Sequence, residues 1–166
     1  MNTDYKKSQG GVNTPPFQKV NLRKGYYAVR WDYQTDETDE NIVNYMETVF
    51  DHEPTEEEVR TIINEYYNKI IDNKILTGFV WNETPVWLST ENQFNYKAAY
   101  DLAVQTNGAV LPVTFKFGTN DEPVYHEFTT LEDITDFYVK AMKFVNTTLE
   151  EGWKTKDSVD ISLYKL

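Results

Sequence analysis

The stretch Phe79–Tyr100, FVWNETPVWLSTENQFNYKAAY, decides how this chain reads. An apolar run is broken by Asn82-Glu83-Thr84-Pro85 and resumes at Val86-Trp87-Leu88. Run, short polar break and run predict a hairpin, with strands over Ile75–Trp81 and Val86–Leu88. Pro85 lacks an N–H, so it belongs at a strand start or edge. Ser89 and Thr90 are both N-cap residue types, and Thr90 with Gln93 has capping-box spacing. A helix is expected from there to about Thr106, ended by Asn107-Gly108. Phe94, Ala98 and Leu102 fall on one face, and Tyr96, Ala99, Tyr100 and Ala103 on another. So much apolar surface predicts a helix buried on two sides. Core packing is the first expectation for both Trp87 and Trp81, and Trp81, with Trp31 upstream, is the candidate aromatic surface if one of them stays outside.

The same hairpin-then-helix rhythm lies on either side. Upstream, Tyr26–Tyr33 reads as a strand with Tyr27, Val29 and Trp31 on one face. Gln34–Glu40 reads as an acidic loop and Ile42–Phe50 as the return strand. Thr55 and Glu58 fit a capping box, and Glu56, Glu57 and Glu58 suit the positive end of a helix. The stripe Val59, Ile62, Ile63, Tyr66, Tyr67 and Ile70 predicts a helix to about Asp72. Downstream, Val110–Phe117 and Val124–Phe128 read as a hairpin. Thr129 or Thr130 then caps a helix with the stripe Leu131, Ile134, Phe137, Tyr138, Ala141, Met142, Val145 and Leu149. Gly152 is its expected stop, and Val159–Tyr164 reads as a short final strand or an extended tail.

The sum is an α+β fold of antiparallel β-hairpins alternating with three helices, plus an extended N-terminal arm. The arm is expected over residues 1–24. Gly10-Gly11 and Pro15-Pro16 punctuate it, and no apolar period runs through it. Lys6, Lys7, Lys19, Arg23 and Lys24 make it basic against Asp4 alone. Residues 25–166 are expected to form a single α+β domain that tolerates deletion of the arm. Phe17, Lys19, Val20, Leu22, Arg23 and Lys24 are the candidate partner-docking residues.

Composition narrows the chemistry. The 166 residues hold no cysteine, which rules out disulfides, thiolate nucleophiles and Cys-ligated zinc. The formal net charge is -11, and residues 32–58 hold no Lys or Arg. Nucleic-acid binding is therefore not expected, because it needs a basic face. Residues 1–24 lack the apolar core of a secretory signal, and no run approaches a membrane span, so no membrane partner is expected. No nucleotide, zinc-protease or serine-hydrolase motif occurs. His52 sits among acids and His126 in a strand, where neighbouring side chains diverge. The acidic loop from Asp32 to Glu40 lacks EF-hand spacing. No enzyme activity, catalytic residue, cofactor or metal is expected.

Several words of the central stretch and of the chain beyond it resemble a family of uncharacterised proteins of tailed bacteriophages and prophages, virion or tail-fibre-associated. They are Gly78-Phe79-Val80-Trp81-Asn82, Val86-Trp87-Leu88-Ser89 and Glu91-Asn92-Gln93-Phe94-Asn95. The pattern continues through Leu111-Pro112, Phe115-Lys116, Phe128-Thr129, Phe137-Tyr138, Gly152-Trp153-Lys154 and Lys156-Asp157. It covers about residues 75–160. The resemblance implies a noncatalytic virion structural protein: a head-fibre, tail-fibre or decoration component, made in the host cytoplasm and resident in the virion. Its expected partners are other phage structural proteins and further copies of itself. Two alternatives stand beside it: a fibre assembly chaperone or adaptor, and a module binding glycan or peptide on a host surface.

Overall fold

A computed structural model describes residues 4–165. The chain is α+β and divides into two compact units, Met1–Tyr66 with Ser158–Leu166, and Tyr67–Asp157. The division falls inside a helix and not at an arm, so the expected single domain over 25–166 gives way to these two units.

The first unit is built on an antiparallel sheet. Its strands are β1 (Lys6–Gly11), β2 (Phe17–Asn21), β3 (Tyr26–Thr35) and β4 (Ile42–Phe50), in the order β1-β4-β3-β2. The expected arm is therefore two edge strands. An edge strand is held by ladder hydrogen bonds from its backbone, which need no apolar period, so polar β1 reads as a tail in sequence. Because β1 and β2 lie on opposite edges, residues 12–16 must cross a face of the sheet. Buried Arg30 holds that crossing: Nη1 donates to Pro15 O at 2.9 Å while Nε pairs with Glu47 at 2.7 Å. Tyr33 adds a bond from its hydroxyl to Thr14 O at 3.2 Å. On the other face, Trp31 meets Tyr66 edge-on at 5.8 Å. Tyr66 belongs to α1 (Glu56–Thr77), whose Val59, Ile62 and Ile63 are buried. The expected capping box starts this helix, with Glu58 N donating to Thr55 Oγ1 at 3.3 Å and Thr55 N to Glu58 Oε2 at 2.8 Å.

A short 3-10 turn, Ile161–Tyr164, stands where a final strand or tail is expected. It closes a gap in the ladder. Phe17 opposes Val29, so the next position pairs Pro16 with Arg30. Arg30 N donates to Pro16 O at 2.8 Å, but proline has no N–H to return the bond. The hydroxyl of Tyr164 supplies it instead, 2.9 Å from Arg30 O.

The second unit holds the hairpin β5 (Phe79–Trp81) and β6 (Thr84–Val86), then α2 (Thr90–Gln105). The hairpin β7 (Val113–Gly118) and β8 (Pro123–Phe128) and the helix α3 (Leu131–Asp157) follow. Its core is largely aromatic: Trp81, Phe117, Phe128 and Phe137 lie within 5.1–6.3 Å of one another, centroid to centroid. Helix α2 ends in a Schellman motif, with Gly108 N on Ala103 O at 2.8 Å and Asn107 at φ 49°. Helix α3 does not stop at Gly152. A Cβ there would lie 2.3 Å from Ile71 Cγ1, so the absence of a side chain at this position lets α3 pack closely against α1. The residue that reads as a helix stop is a packing residue.

Candidate functional site

The turn joining β5 and β6 decides which tryptophan faces water. Trp81 opposes Thr84, leaving Asn82 (φ 48°) and Glu83 (φ 63°) as a two-residue loop in the left-handed region. Alternation from there sends Val86 and Leu88 into the core, each 1% exposed, and turns Trp87 outward, 51% exposed. The core position expected of Trp87 is thus not taken, and the surface candidates Trp81 and Trp31 are buried instead. Trp81 is 3% exposed, its ring 4.7 Å from that of His126 and its Nε1 donating to Asp136 Oδ2 at 3.3 Å. Trp31 is 2% exposed between Tyr5 and Tyr66. Neither forms an aromatic surface, because each sits on the inward face of its strand.

Trp87 stands in a cleft of about 640 Å³ between the end of β6, the start of α2 and the β7–β8 turn. The backbone on either side of it is tied down. Asn92 Nδ2 donates to Trp87 O at 2.8 Å, and Leu88 N donates to Leu76 O at 3.0 Å. Ser89 caps α2 by accepting from Asn92 N at 3.2 Å, which also fixes Asn92. The opposite wall carries Lys116 on β7 and Thr119 and Asn120 in the turn. Gly118 (φ 80°) makes that turn, where a Cβ would meet Glu122 O at 2.3 Å. Thr119 Oγ1 accepts from Glu122 N at 3.0 Å. Sequence reading misses this set because the walls are some thirty residues apart in the chain. The one legible signal was period two: if Val86 and Leu88 point inward, Trp87 cannot.

A second exposed feature is the outer face of α2. Tyr96 and Ala103 are buried as expected. The other expected core face is exposed instead, with Phe94 at 72%, Leu102 at 49% and Ala98 open between them. Helical spacing shows that both faces are apolar but cannot show that only one has a neighbour.

The expected docking residues divide. Phe17 stacks on Tyr27 at 5.8 Å, and Lys19 lies over the same ring at 5.3 Å. Val20, Leu22, Arg23 and Lys24 are exposed along β2 and the turn to β3. Asn21 Oδ1 shapes that turn by accepting from Arg23 N and Lys24 N at 3.1 and 3.0 Å. The histidines have ordinary partners. His52 bridges Asp51 and Glu58 at 2.9 and 3.1 Å, and His126 meets Asp133 at 3.2 Å. Among the described residues no group of three or more His, Asp or Glu side chains is placed to hold a metal ion. No helix among them is long and apolar enough to cross a membrane.

Fold and surface together define an α+β protein with an aromatic-floored cleft and an exposed apolar helix face. No family model matches the chain, and no curated protein and no solved structure matches it. The likeness to phage particle proteins rests on the sequence words alone.

Proposed function

We propose that this chain is a noncatalytic structural component of a bacteriophage particle, of the head-fibre, tail-fibre or decoration kind, and that it associates with copies of itself through α2. The observation that carries the self-association is the exposed stripe Phe94–Ala98–Leu102. Its order is symmetric about Ala98. In a two-fold antiparallel pair with Ala98 on the axis, Phe94 of one copy meets Leu102 of the other. Glu91 then faces Gln105 and Asn95 faces Asp101, so the flanking polar groups are matched without like-charge contacts. The small residue at the crossing lets the helices approach. Components of symmetric particles are used in many copies, which agrees with a self-complementary face.

Mass spectrometry of particles purified from the source, beside light scattering of the isolated chain, tests both parts. Expected results are the chain in washed particles and a dimer or higher oligomer that Ala98→Glu converts to monomer. Absence from washed particles overturns the particle assignment. A monomer at all concentrations overturns the α2 pairing.

A further inference from the structure

The Trp87 cleft has the chemistry of a ligand site. We propose that it binds a saccharide ring carrying a carboxylate group. Its floor is a half-exposed indole whose neighbours in sequence, Val86 and Leu88, are buried, so its outward position is imposed by the alternation continuing from β6 and not by loose packing. Such a platform gains affinity because little ordering remains to be done on binding. The apolar face of a pyranose matches an indole face, while its hydroxyl edge needs hydrogen-bonding groups around it. Those groups are present. Asn92 spends one amide N–H on Trp87 O and keeps the other N–H and Oδ1 for a sugar hydroxyl. Thr119 Oγ1 accepts from Glu122 N and keeps its own O–H to donate. Trp87 Nε1 and the Asn120 amide have no hydrogen-bond partner among the described residues. Lys116 makes no ion pair with any of them, although the chain carries 27 acidic residues.

Donors thus outnumber acceptors in the cleft, and one of them is a free ammonium. That balance selects a ligand rich in acceptor oxygens with one negative charge, which a uronic-acid ring supplies. A polynucleotide would meet the same indole and lysine but also the repulsion of a chain of net charge -11. The volume, about 640 Å³, falls within the roughly 300–1,000 Å³ typical of small-ligand sites.

The test uses the full chain with methyl β-glucuronide, methyl β-glucoside as its neutral control, and an oligoproline peptide. Binding is followed by saturation-transfer NMR and titration calorimetry. The glucuronide is expected to bind, with the glucoside about tenfold weaker, as the loss of one charge-assisted hydrogen bond predicts. Trp87→Ala should abolish binding while the melting temperature moves by no more than about 4 °C. Lys116→Gln should bring the glucuronide down to the affinity of the glucoside and leave the glucoside as it was. Equal affinity for the two sugars in the unaltered chain overturns the carboxylate assignment. Glucuronide binding that survives Trp87→Ala overturns the site. Binding of the peptide alone assigns the cleft to a protein partner and overturns the saccharide.

Discussion

At the residue scale, the hydroxyl of Tyr164 does the work of a missing backbone N–H. Pro16 leaves Arg30 O without a ladder partner, and the 2.9 Å bond from Tyr164 fills the place. Tyr164→Phe keeps the ring and removes the donor, so it should destabilise the chain by about 1–2 kcal/mol, readable in urea unfolding. The tryptophans make a second contrast. Trp81→Ala empties a site walled by Phe117, Phe128 and Phe137 and should cost about 3–5 kcal/mol. Trp87→Ala removes a half-exposed ring and should shift stability by less than about 1 kcal/mol. Comparable melting temperatures for the two variants would contradict the orientation of β5 and β6. Nothing in the types of these residues distinguishes them; the distinction comes from a two-residue turn whose left-handed Asn82 and Glu83 set the register.

At the element scale, α1 and α3 show where helical pattern suffices and where it does not. The caps and stripes of both were legible, because capping and periodicity depend on residues three or four apart. Their ends were not, since α1 runs on to Thr77 and α3 past Gly152. Gly152→Ala improves local helix propensity by about 1 kcal/mol but drives a methyl into Ile71. Ile71 is branched and held in its helix, so the net effect should be destabilising by about 1–2 kcal/mol, measured by thermal unfolding. At the other end of α1, hydrogen bonds to Asp51 and then Glu58 raise the His52 pKa above its ordinary 6.5. A raised folded value means that this bridge contributes fully below the unfolded pKa. The contribution is lost as pH rises through the folded one. An NMR titration of the imidazole should therefore show a midpoint above 6.5, and Glu58→Gln should lower it. An unmoved midpoint would show that the bridge does not form.

At the scale of the whole molecule, the N-terminal residues belong to the fold. Removing residues 1–24 takes away β1 and β2, both edges of the four-stranded sheet, and with them the crossing that covers Arg30. The truncated chain should lose cooperative unfolding of the first unit, seen as early loss of the near-ultraviolet signal around Trp31. A truncated chain with the full-length melting profile would return these residues to the status of an arm. The fold class and the hairpin-then-helix order were readable from sequence, but the four-stranded sheet was not. It unites strands more than thirty residues apart through backbone bonds, and β1 in particular has almost no apolar signature.

Sequence by itself determined what short-range physics can encode: the three helices and their caps, the hairpins, the absence of thiol chemistry and the strongly acidic charge. Tertiary structure alone decided which apolar faces are covered. Phe94 and Trp87 look like core residues in sequence because hydrophobic pattern records that a side chain is apolar, not whether another element reaches it. Burial depends on neighbours distant in the chain. The surfaces left open by that outcome, the α2 stripe and the Trp87 cleft, became visible only once the chain was folded.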